Sequence, residues 1–237
     1  MRNKKYAVIV LSAGSGSRMK SNIAKQYMML NDKVILSYSL DTFEKDDEIS
    51  DIVIVASKDD IEMVNKDIVK KYGYKKILAV VAGGSERYES VYNGMKAIAD
   101  LDKTPDYVMI HDGARPFISN EVTDRLKQAV VENEACIPAV KSKDTIRISD
   151  DNGYVKMTPK RDNVWNVQTP QTFVYEGLKQ AFDTYMTNVS SYGMVTDDAM
   201  VWELVTGKSV KIVEGDYNNI KITTPEDIAV AEGILGL

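Results

Sequence analysis

The fold is decided by one stretch near the start of the chain, Tyr6-Ala7-Val8-Ile9-Val10-Leu11-Ser12-Ala13-Gly14-Ser15-Gly16-Ser17-Arg18-Met19-Lys20. The run from Tyr6 to Leu11 is apolar and does not alternate, which predicts a strand buried on both faces of a parallel sheet. The small residues after it let the backbone approach a ligand and point N–H groups at it. Arg18, Lys20 and Lys25 then add positive charge. Amide donors beside fixed cations suit a polyphosphate, so the stretch predicts a phosphate-binding loop.

Two familiar phosphate loops do not fit this stretch. A Walker loop needs a second glycine directly before its Lys-Ser pair, but Met19 precedes Lys20-Ser21. A dinucleotide fingerprint needs its third glycine at the same Met19 position and an acid after the next strand, which here ends in Ser57-Lys58. From these residues alone, an ordinary strand-to-helix turn with solvated bases stays open as an alternative.

Composition limits the class of protein. A chain of 237 residues with 44% hydrophobic and 27% charged residues can bury a sizeable core as one α/β domain. The net charge of −5 argues against general nucleic-acid or membrane-surface binding, so local Lys and Arg clusters must hold any anionic substrate. Cys136 is the single cysteine, and its apolar neighbours predict a buried core residue. Without a membrane-length apolar run or a signal peptide, we expect a cytoplasmic protein.

Strands and helices alternate along most of the chain. The predicted strands are Tyr6 to Leu11, Asp51 to Ala56, Ile77 to Val81, Tyr107 to Ile110, Ala135 to Val140 and Val210 to Glu214, and the predicted helices are Val34 to Phe43, Asp59 to Tyr72, Tyr88 to Ala99, Glu121 to Asn133, Tyr175 to Met186, Asp197 to Thr206 and Pro225 to Leu235. This alternation predicts a mainly parallel sheet with ligand-binding loops at the carboxyl ends of its strands. The polar motifs of the sequence fall at those ends.

The pattern breaks between residues 141 and 166. Two short β-like runs, Thr145 to Ile148 and Tyr154 to Met157, flank the turn signal Asp150-Asp151-Asn152-Gly153. A hairpin with so little apolar surface cannot fold alone. We therefore expect an arm that packs on a partner subunit, which predicts a homodimer.

A pair of glycines follows the third predicted strand, in Gly83-Gly84-Ser85-Glu86-Arg87 and then Ser90. Paired glycines let a flat ring lie against the backbone, and Ser85 and Ser90 can bond the edge of a base. The alternative is a tight turn with a helix N-cap.

The motif His111-Asp112-Gly113-Ala114-Arg115-Pro116 follows another strand. Asp112 suits Mg²⁺, because a hard cation takes oxygen ligands and shares them with phosphates. Arg115 is predicted to pair with an acid in the turn, and His111, the one histidine, to be a core residue. Near the C-terminus, Lys221 lies among apolar residues and can deliver charge to an anionic centre. The polar clusters at 168–171 and 196–199 are either caps or hydroxyl contacts.

Several motifs occur in order: Ala-Gly-x-Gly-x-Arg-Met, Lys-Gln-Tyr, Gly-Gly-x-x-Arg-x-x-Ser-Val, His-Asp-Gly-Ala-Arg-Pro, Asp-Thr-Ile, Gln-Thr-Pro-Gln, Thr-Asp-Asp-Ala and Asn-Ile-Lys-Ile-Thr. This set, from Tyr6 to about Leu235, resembles the cytidylyltransferase family that includes 2-C-methyl-D-erythritol 4-phosphate cytidylyltransferase. The resemblance implies one nucleotidyltransferase domain over 1–237, with a Rossmann-like α/β sheet, helices on both faces and a dimerising hairpin arm at 141–166.

The resemblance also implies a role for each matching residue. The catalytic cations would be Arg18, Lys25 and Lys221. The nucleotide-binding residues would be Ala13, Gly14, Gly16, Gly84, Ser85 and Ser90. The residues for the sugar phosphate would be Asp112, Thr145, Arg161, Thr169 and Thr196, with Asp112 also near Mg²⁺ and Arg161 delivered by the neighbouring subunit.

The implied reaction is attack by the phosphate of 2-C-methyl-D-erythritol 4-phosphate on the α-phosphorus of CTP, with loss of pyrophosphate, in the non-mevalonate isoprenoid pathway. The alternative acceptor is ribitol 5-phosphate, used for teichoic-acid precursors. Two further alternatives are a CTP-binding regulatory module without catalysis and a sugar nucleotidyltransferase that takes another base.

Overall fold

A mixed sheet of eight strands runs through the described part of the chain, which in this computed structural model covers residues 4–14 and 24–237. The strands, including those of two small hairpins, are β1 (Tyr6–Ser12), β2 (Met29–Leu30), β3 (Lys33–Val34), β4 (Ile49–Ala56), β5 (Ile77–Ala82), β6 (Tyr107–Asp112), β7 (Ala135–Lys141), β8 (Ile148–Ser149), β9 (Val155–Met157), β10 (Trp165–Val167), β11 (Gln171–Val174) and β12 (Lys211–Glu214). The sheet order is β10-β7-β11-β6-β1-β4-β5, and β12 pairs with β7.

The strand that opens the chain lies near the middle of the sheet. β1 pairs in parallel with β4 on one side and with β6 on the other, and β4 continues in parallel to β5. From Tyr6 to Val10 the side chains of β1 are at most 1% exposed. The expected strand buried on both faces is therefore confirmed.

Helices cover both faces of this sheet. They are α1 (Ile35–Lys45), α2 (Ile61–Met63), α3 (Arg87–Asp100), α4 (Asn120–Asn133), α5 (Tyr175–Thr187), α6 (Val189–Tyr192), α7 (Asp198–Thr206) and α8 (Pro225–Ile234). Val8 and Val10 point into a core with α1 and α4, whereas Ala7 and Ile9 point into a second core with α3, α5 and α7. The alternation of side chains along a strand thus gives each face its own apolar layer, as expected for an α/β fold.

Two features differ from the sequence prediction. β11 is a strand that the sequence analysis did not identify, and it lies antiparallel between β6 and β7 in the middle of the sheet. The predicted helix from Asp59 to Tyr72 is also less regular, because α2 continues into a π-helical stretch, Val64–Lys70. The sheet therefore remains mainly parallel at one end and becomes mixed at the other.

The segment 141–166 contains the predicted hairpin. β8 pairs antiparallel with β9, and Gly153 in the turn between them has a φ of +85°, a conformation that favours glycine. Exposed apolar side chains lie along the hairpin. Its role as a dimerisation arm and the single-domain organisation of 1–237 stay predictions. Within 4–14 and 24–237, no helix has the length and apolar character needed to cross a bilayer.

Candidate active site

A cavity of about 250 Å³ opens at the carboxyl ends of β1, β5 and β6. It is lined by Leu11, Ser12, Ala13, Gly14, Lys25, Gln26, Gly84, Ser85, Glu86, Arg87, Ser90, Asp112, Ala114 and Lys221. The lining includes the following residues that the sequence analysis assigned to the site: Ala13, Gly14, Lys25, Gly84, Ser85, Ser90, Asp112 and Lys221. Loops far apart in sequence thus meet where the parallel strands end, as the topology predicts.

The first loop is held by side chains that the sequence analysis did not assign. Gln26 donates from Nε2 to the carbonyl oxygens of Ser12, at 2.5 Å, and Gly14, at 3.1 Å. The Tyr27 hydroxyl also donates to the Ser12 carbonyl, at 3.1 Å, and burial raises the pKa of Tyr27 to about 12. The Lys-Gln-Tyr motif therefore fixes the loop and places Lys25 at the cavity. The predicted residues Gly16 and Arg18 lie outside the described residues.

The second loop follows β5 and packs against the first. A Cβ atom added at Gly83 would lie 2.6 Å from the Cβ of Ala13 and 2.8 Å from the Oγ of Ser90. Only glycine permits this approach. The helix α3 is capped by Glu86 in a capping box with Glu89, so the predicted turn and N-cap are present in the same loop that lines the cavity.

Asp112 ends β6 and receives positive charge from three sides. Its Oδ2 lies 2.8 Å from the Nζ of Lys221 and 3.7 Å from the Nε of Arg115, and its Oδ1 lies 3.8 Å from the Nε of Arg87. Burial alone would raise the pKa of Asp112, but Arg87, Lys221 and Arg115 hold this pKa well below its usual range. Asp112 is therefore ionised at neutral pH, and the predicted pairing of Arg115 with an acid in its turn is confirmed.

Arg87 is a cavity residue that the sequence analysis did not assign. Its two terminal nitrogens donate to the two carboxylate oxygens of Asp198, both at 2.8 Å. Burial would lower the pKa of Arg87, but the carboxylates of Asp198 and Asp112 raise it above its ordinary value. The Gly-Gly-x-x-Arg motif marked this position in the sequence, but nothing local pointed to its partner in α7.

The polar clusters at 168–171 and 196–199 build the support behind the cavity. Asp197 caps α7 by accepting from the backbone of Met200 at 3.0 Å. Gln171 donates to Asp197 and accepts the N–H groups of Asp198 and Ala199. The cluster at 196–199 is thus a helix cap, which is one of the two alternatives that the sequence left open for it.

The predicted sugar-phosphate residues are spread over three places. Arg161 donates to the hydroxyl of Thr145 at 2.8 Å, and both lie in the exposed arm. Thr169 is buried and accepts the backbone N–H of Asp112 at 3.0 Å. Thr196 is exposed on the loop before α7. Asp112 alone of this set is among the described residues that line the cavity.

His111 and Cys136 are core residues, as predicted. Both side chains are 0% exposed, and burial lowers the pKa of His111 to about 4. His111 lies 3.1 Å from the carbonyl oxygen of Arg115 and 3.2 Å from the hydroxyl of Thr169. A carbonyl only accepts, so Nε2 carries the proton and Nδ1 accepts from Thr169. Burial also raises the pKa of the Cys136 thiol to about 12, which keeps it unreactive.

The fold and the cavity define an α/β nucleotidyltransferase: the glycine-rich loops follow parallel strands, and cations surround one ionised acid. A sequence model of the family described as 2-C-methyl-D-erythritol 4-phosphate cytidylyltransferase matches residues 6–237. A protein of that name from Lachnoclostridium phytofermentans is 47% identical over 234 residues, which cover 98% of this chain and 97% of the relative. Another from Alkaliphilus oremlandii is 46% identical over 231 residues, or 98% and 95% of the two chains.

Solved structures agree with this assignment. The 4-diphosphocytidyl-2C-methyl-D-erythritol synthase of Anaerococcus prevotii superposes with a TM-score of 0.85 at 40% identity, over 99% of this chain and 97% of that one. The 2-C-methyl-D-erythritol 4-phosphate cytidylyltransferase of Francisella tularensis gives a TM-score of 0.79 at 33% identity, over 97% and 99%. The chain belongs to the 2-C-methyl-D-erythritol 4-phosphate cytidylyltransferase family.

Proposed function

We propose that this chain transfers the CMP group of CTP to 2-C-methyl-D-erythritol 4-phosphate and releases pyrophosphate, in the non-mevalonate pathway to isoprenoid precursors. The observation that carries the proposal is the meeting of Lys25, Lys221 and Asp112 in one glycine-walled cavity. The family and the relatives are named for methylerythritol phosphate, so ribitol 5-phosphate is not favoured as the acceptor.

The chemistry needs positioning and charge rather than an enzyme nucleophile. The phosphate of the acceptor is already ionised, so its oxygen attacks the α-phosphorus in line while the bond to pyrophosphate breaks. Negative charge grows on the α-phosphate and on the leaving group, and Lys25, Lys221 and the predicted Arg18 would neutralise it. Asp112 holds Lys221 at 2.8 Å, which keeps its ammonium group at the cavity before the nucleotide arrives.

We further propose that Mg²⁺ assists the transfer. Asp112 fits this ion, because its carboxylate is ionised and lines the cavity beside the phosphate loop. No group of three or more His, Cys, Asp or Glu side chains suited to a metal occurs in the described residues, so phosphates and water would supply the other ligands. The ion would add positive charge at the nucleotide phosphates.

The proposal includes a homodimer in which each arm serves the neighbouring site. Thr145 and Arg161 carry sugar-phosphate roles in the family resemblance, yet both lie in the exposed arm of this chain. A partner's arm would bring an arginine to the acceptor phosphate, a contact for which guanidinium geometry is well suited. Thr169 and Thr196 would complete the acceptor pocket. The cytoplasmic location stays a prediction from the sequence.

The test is pyrophosphate release from CTP and Mg²⁺ with each acceptor in turn. We expect release with 2-C-methyl-D-erythritol 4-phosphate, none with ribitol 5-phosphate, and loss of release when EDTA removes the metal. Release with ribitol 5-phosphate alone would identify ribitol 5-phosphate as the acceptor. No release with either, while CTP still raises the melting temperature, would support a binding module, because a ligand of the native state stabilises it.

A further inference from the structure

The carboxylate of Glu89 accepts hydrogen bonds from the loop at residues 83–86, which forms one wall of the cavity. Its Oε2 accepts the backbone N–H of Ser85 at 2.7 Å, the backbone N–H of Glu86 at 3.1 Å and the Ser85 hydroxyl at 2.7 Å. Gly84 makes room for this arrangement, because a Cβ atom there would lie 2.6 Å from the same Oε2. One carboxylate oxygen therefore organises the loop and the one exposed hydroxyl on it.

The remaining backbone N–H groups of this wall and the Ser90 hydroxyl also have hydrogen-bond acceptors. The N–H of Gly83 donates to the carbonyl of Ala56 at 2.8 Å, and the N–H of Gly84 donates to the Oγ of Ser90 at 3.1 Å. The Ser90 hydroxyl in turn donates to the carbonyl of Glu86 at 3.2 Å. Each backbone N–H from 83 to 86 and both serine protons thus have acceptors within the wall. Toward the cavity, Ser85 offers the lone pairs of its oxygen.

We propose that Glu89 is a positioning residue for base selection: it fixes the Ser85 hydroxyl as an acceptor, so the wall binds the amino group of cytosine and rejects uracil. This inference rests on the proposed use of CTP. Cytosine carries an amino donor where uracil carries a carbonyl acceptor. An acceptor facing an acceptor leaves both unpaired, and sites built for a specific hydrogen bond discriminate strongly against the analogue that lacks it.

Glu89 suits this role because it cannot return a proton to the serine. Hydrogen bonds from the Ser85 side chain and from the backbone of Glu86 and Ser85 lower the pKa of Glu89, which keeps it ionised at neutral pH. An ionised carboxylate only accepts. A methionine at the same position has no oxygen to accept the Ser85 proton, and Ser85 would then be free to direct that proton into the cavity.

The test measures the binding of CTP and UTP by calorimetry, with Mg²⁺ and without acceptor. We expect the native protein to prefer CTP, and we expect Glu89→Met to reduce that preference by about tenfold, the size of one hydrogen bond. Ser85→Ala keeps Glu89 and the backbone bonds but removes the acceptor, so it should reduce the preference equally. Adding Ser85→Asp to Glu89→Met restores an obligatory acceptor and should restore the preference.

Glu121→Met is the matched control, because it removes the same charge from the exposed first turn of α4. It should leave the preference unchanged. Equal weakening of CTP and UTP binding in Glu89→Met and Ser85→Ala would show a structural role and overturn the inference, as would a native protein that binds both nucleotides alike. A protein that prefers CTP in this way but transfers nothing to methylerythritol phosphate would contradict the proposed function and leave the base-selection inference standing.

Discussion

Lys221 and Lys25 reach the cavity from opposite ends of the chain and are supported differently. Lys221 pairs with Asp112, which keeps two other cations when Lys221 is removed. Lys25 follows the first loop, whose backbone is held by Gln26. Neither lysine is part of the apolar core. We therefore expect their contribution to fall on the charge of the transition state more than on the stability of the fold.

We predict that Lys25→Ala and Lys221→Ala each reduce turnover by roughly 10²–10³, the size expected for loss of one preorganised group that stabilises growing charge. Initial rates of pyrophosphate release measure the loss, and melting temperatures should change little. Lys208→Ala is the control, because Lys208 is an exposed lysine paired with Glu134 at 2.5 Å. Near-normal turnover in either cavity variant would contradict the assigned role of that lysine.

His111 should control the pH dependence of stability between pH 7 and pH 5. Its pKa is lowered from 6.5 to about 4 by burial, so the unfolded chain binds a proton that the folded chain excludes. Stability is then fully present above the unfolded pKa and falls as the pH drops toward 4. From pH 7 to pH 5 the loss should be about 2 kcal/mol.

Urea denaturation at the two pH values measures this loss. His111→Gln is the comparison, because the chain has one histidine and the variant has none. The variant should be less stable at pH 7, where it loses the packing against Phe43. Its stability should nevertheless change little between pH 7 and pH 5. An equal slope in both proteins would assign the pH dependence to other groups.

Among individual residues, the sequence located those that follow apolar strands. Asp112, Gly84 and Lys25 were predicted because each stands in a polar motif that follows an apolar strand or the loop after that strand. Arg87 and Asp198 were missed as a pair, since 111 positions separate them and only tertiary packing brings them together. Glu89 was missed for another reason. Its carboxylate bonds the loop that precedes its own helix, and the presence of an acid in the first turn of a helix does not by itself predict such a contact.

At the scale of elements, regular strands and helices were predictable and β11 was not. The strands with continuous apolar runs were identified because burial on both faces leaves that pattern. β11 has four residues, Gln171–Val174, of which the first two are polar. Its pairing with β6 and β7 comes from partners distant in sequence. Gln171 also accepts backbone N–H groups at the start of α7. The polar side chain that makes β11 hard to recognise in the sequence therefore supports the site.

The ion pair between Arg87 and Asp198 joins the start of α3 to the start of α7. Asp198 is 1% exposed, so removing Arg87 leaves a buried carboxylate with less compensation. We predict that Arg87→Met lowers the free energy of unfolding by about 3 kcal/mol. Arg87→Met combined with Asp198→Asn should lose less than the sum of the two single changes, because the partner charge is then absent. Urea denaturation without nucleotide measures the cycle, and additive losses would show that the pair does not couple the helices.

At the scale of the whole molecule, the hairpin arm carries apolar side chains that the described part of this chain leaves exposed. Tyr154, Val155 and Met157 are 74%, 61% and 52% exposed, and they lie on the short strands and turn of the arm. A two-stranded hairpin is marginally stable in water, and a cluster of exposed apolar residues marks an interaction surface. A second copy of the chain is the partner that the proposed function requires, because Arg161 stands in this arm and not at the cavity.

The proposed exchange of arms predicts that two inactive variants restore each other. Lys25→Ala disables the cavity of its own subunit but keeps a native arm, whereas Arg161→Ala has the opposite defect. In a symmetric dimer each mixed pair has one cavity with Lys25 that receives an arm with Arg161. Subunits unfolded together and refolded as an equal mixture should therefore recover roughly a quarter of native turnover, since half the dimers are mixed and each has one complete site.

Mixing Lys25→Ala with Lys221→Ala provides the control, because both changes lie in the cavity and mixed dimers gain no complete site. Recovery in the first mixture alone means that the arm serves the neighbouring subunit. Equal, near-zero turnover in both mixtures means that each arm serves its own cavity. Native-like turnover of Arg161→Ala alone means that Arg161 does not contact the acceptor.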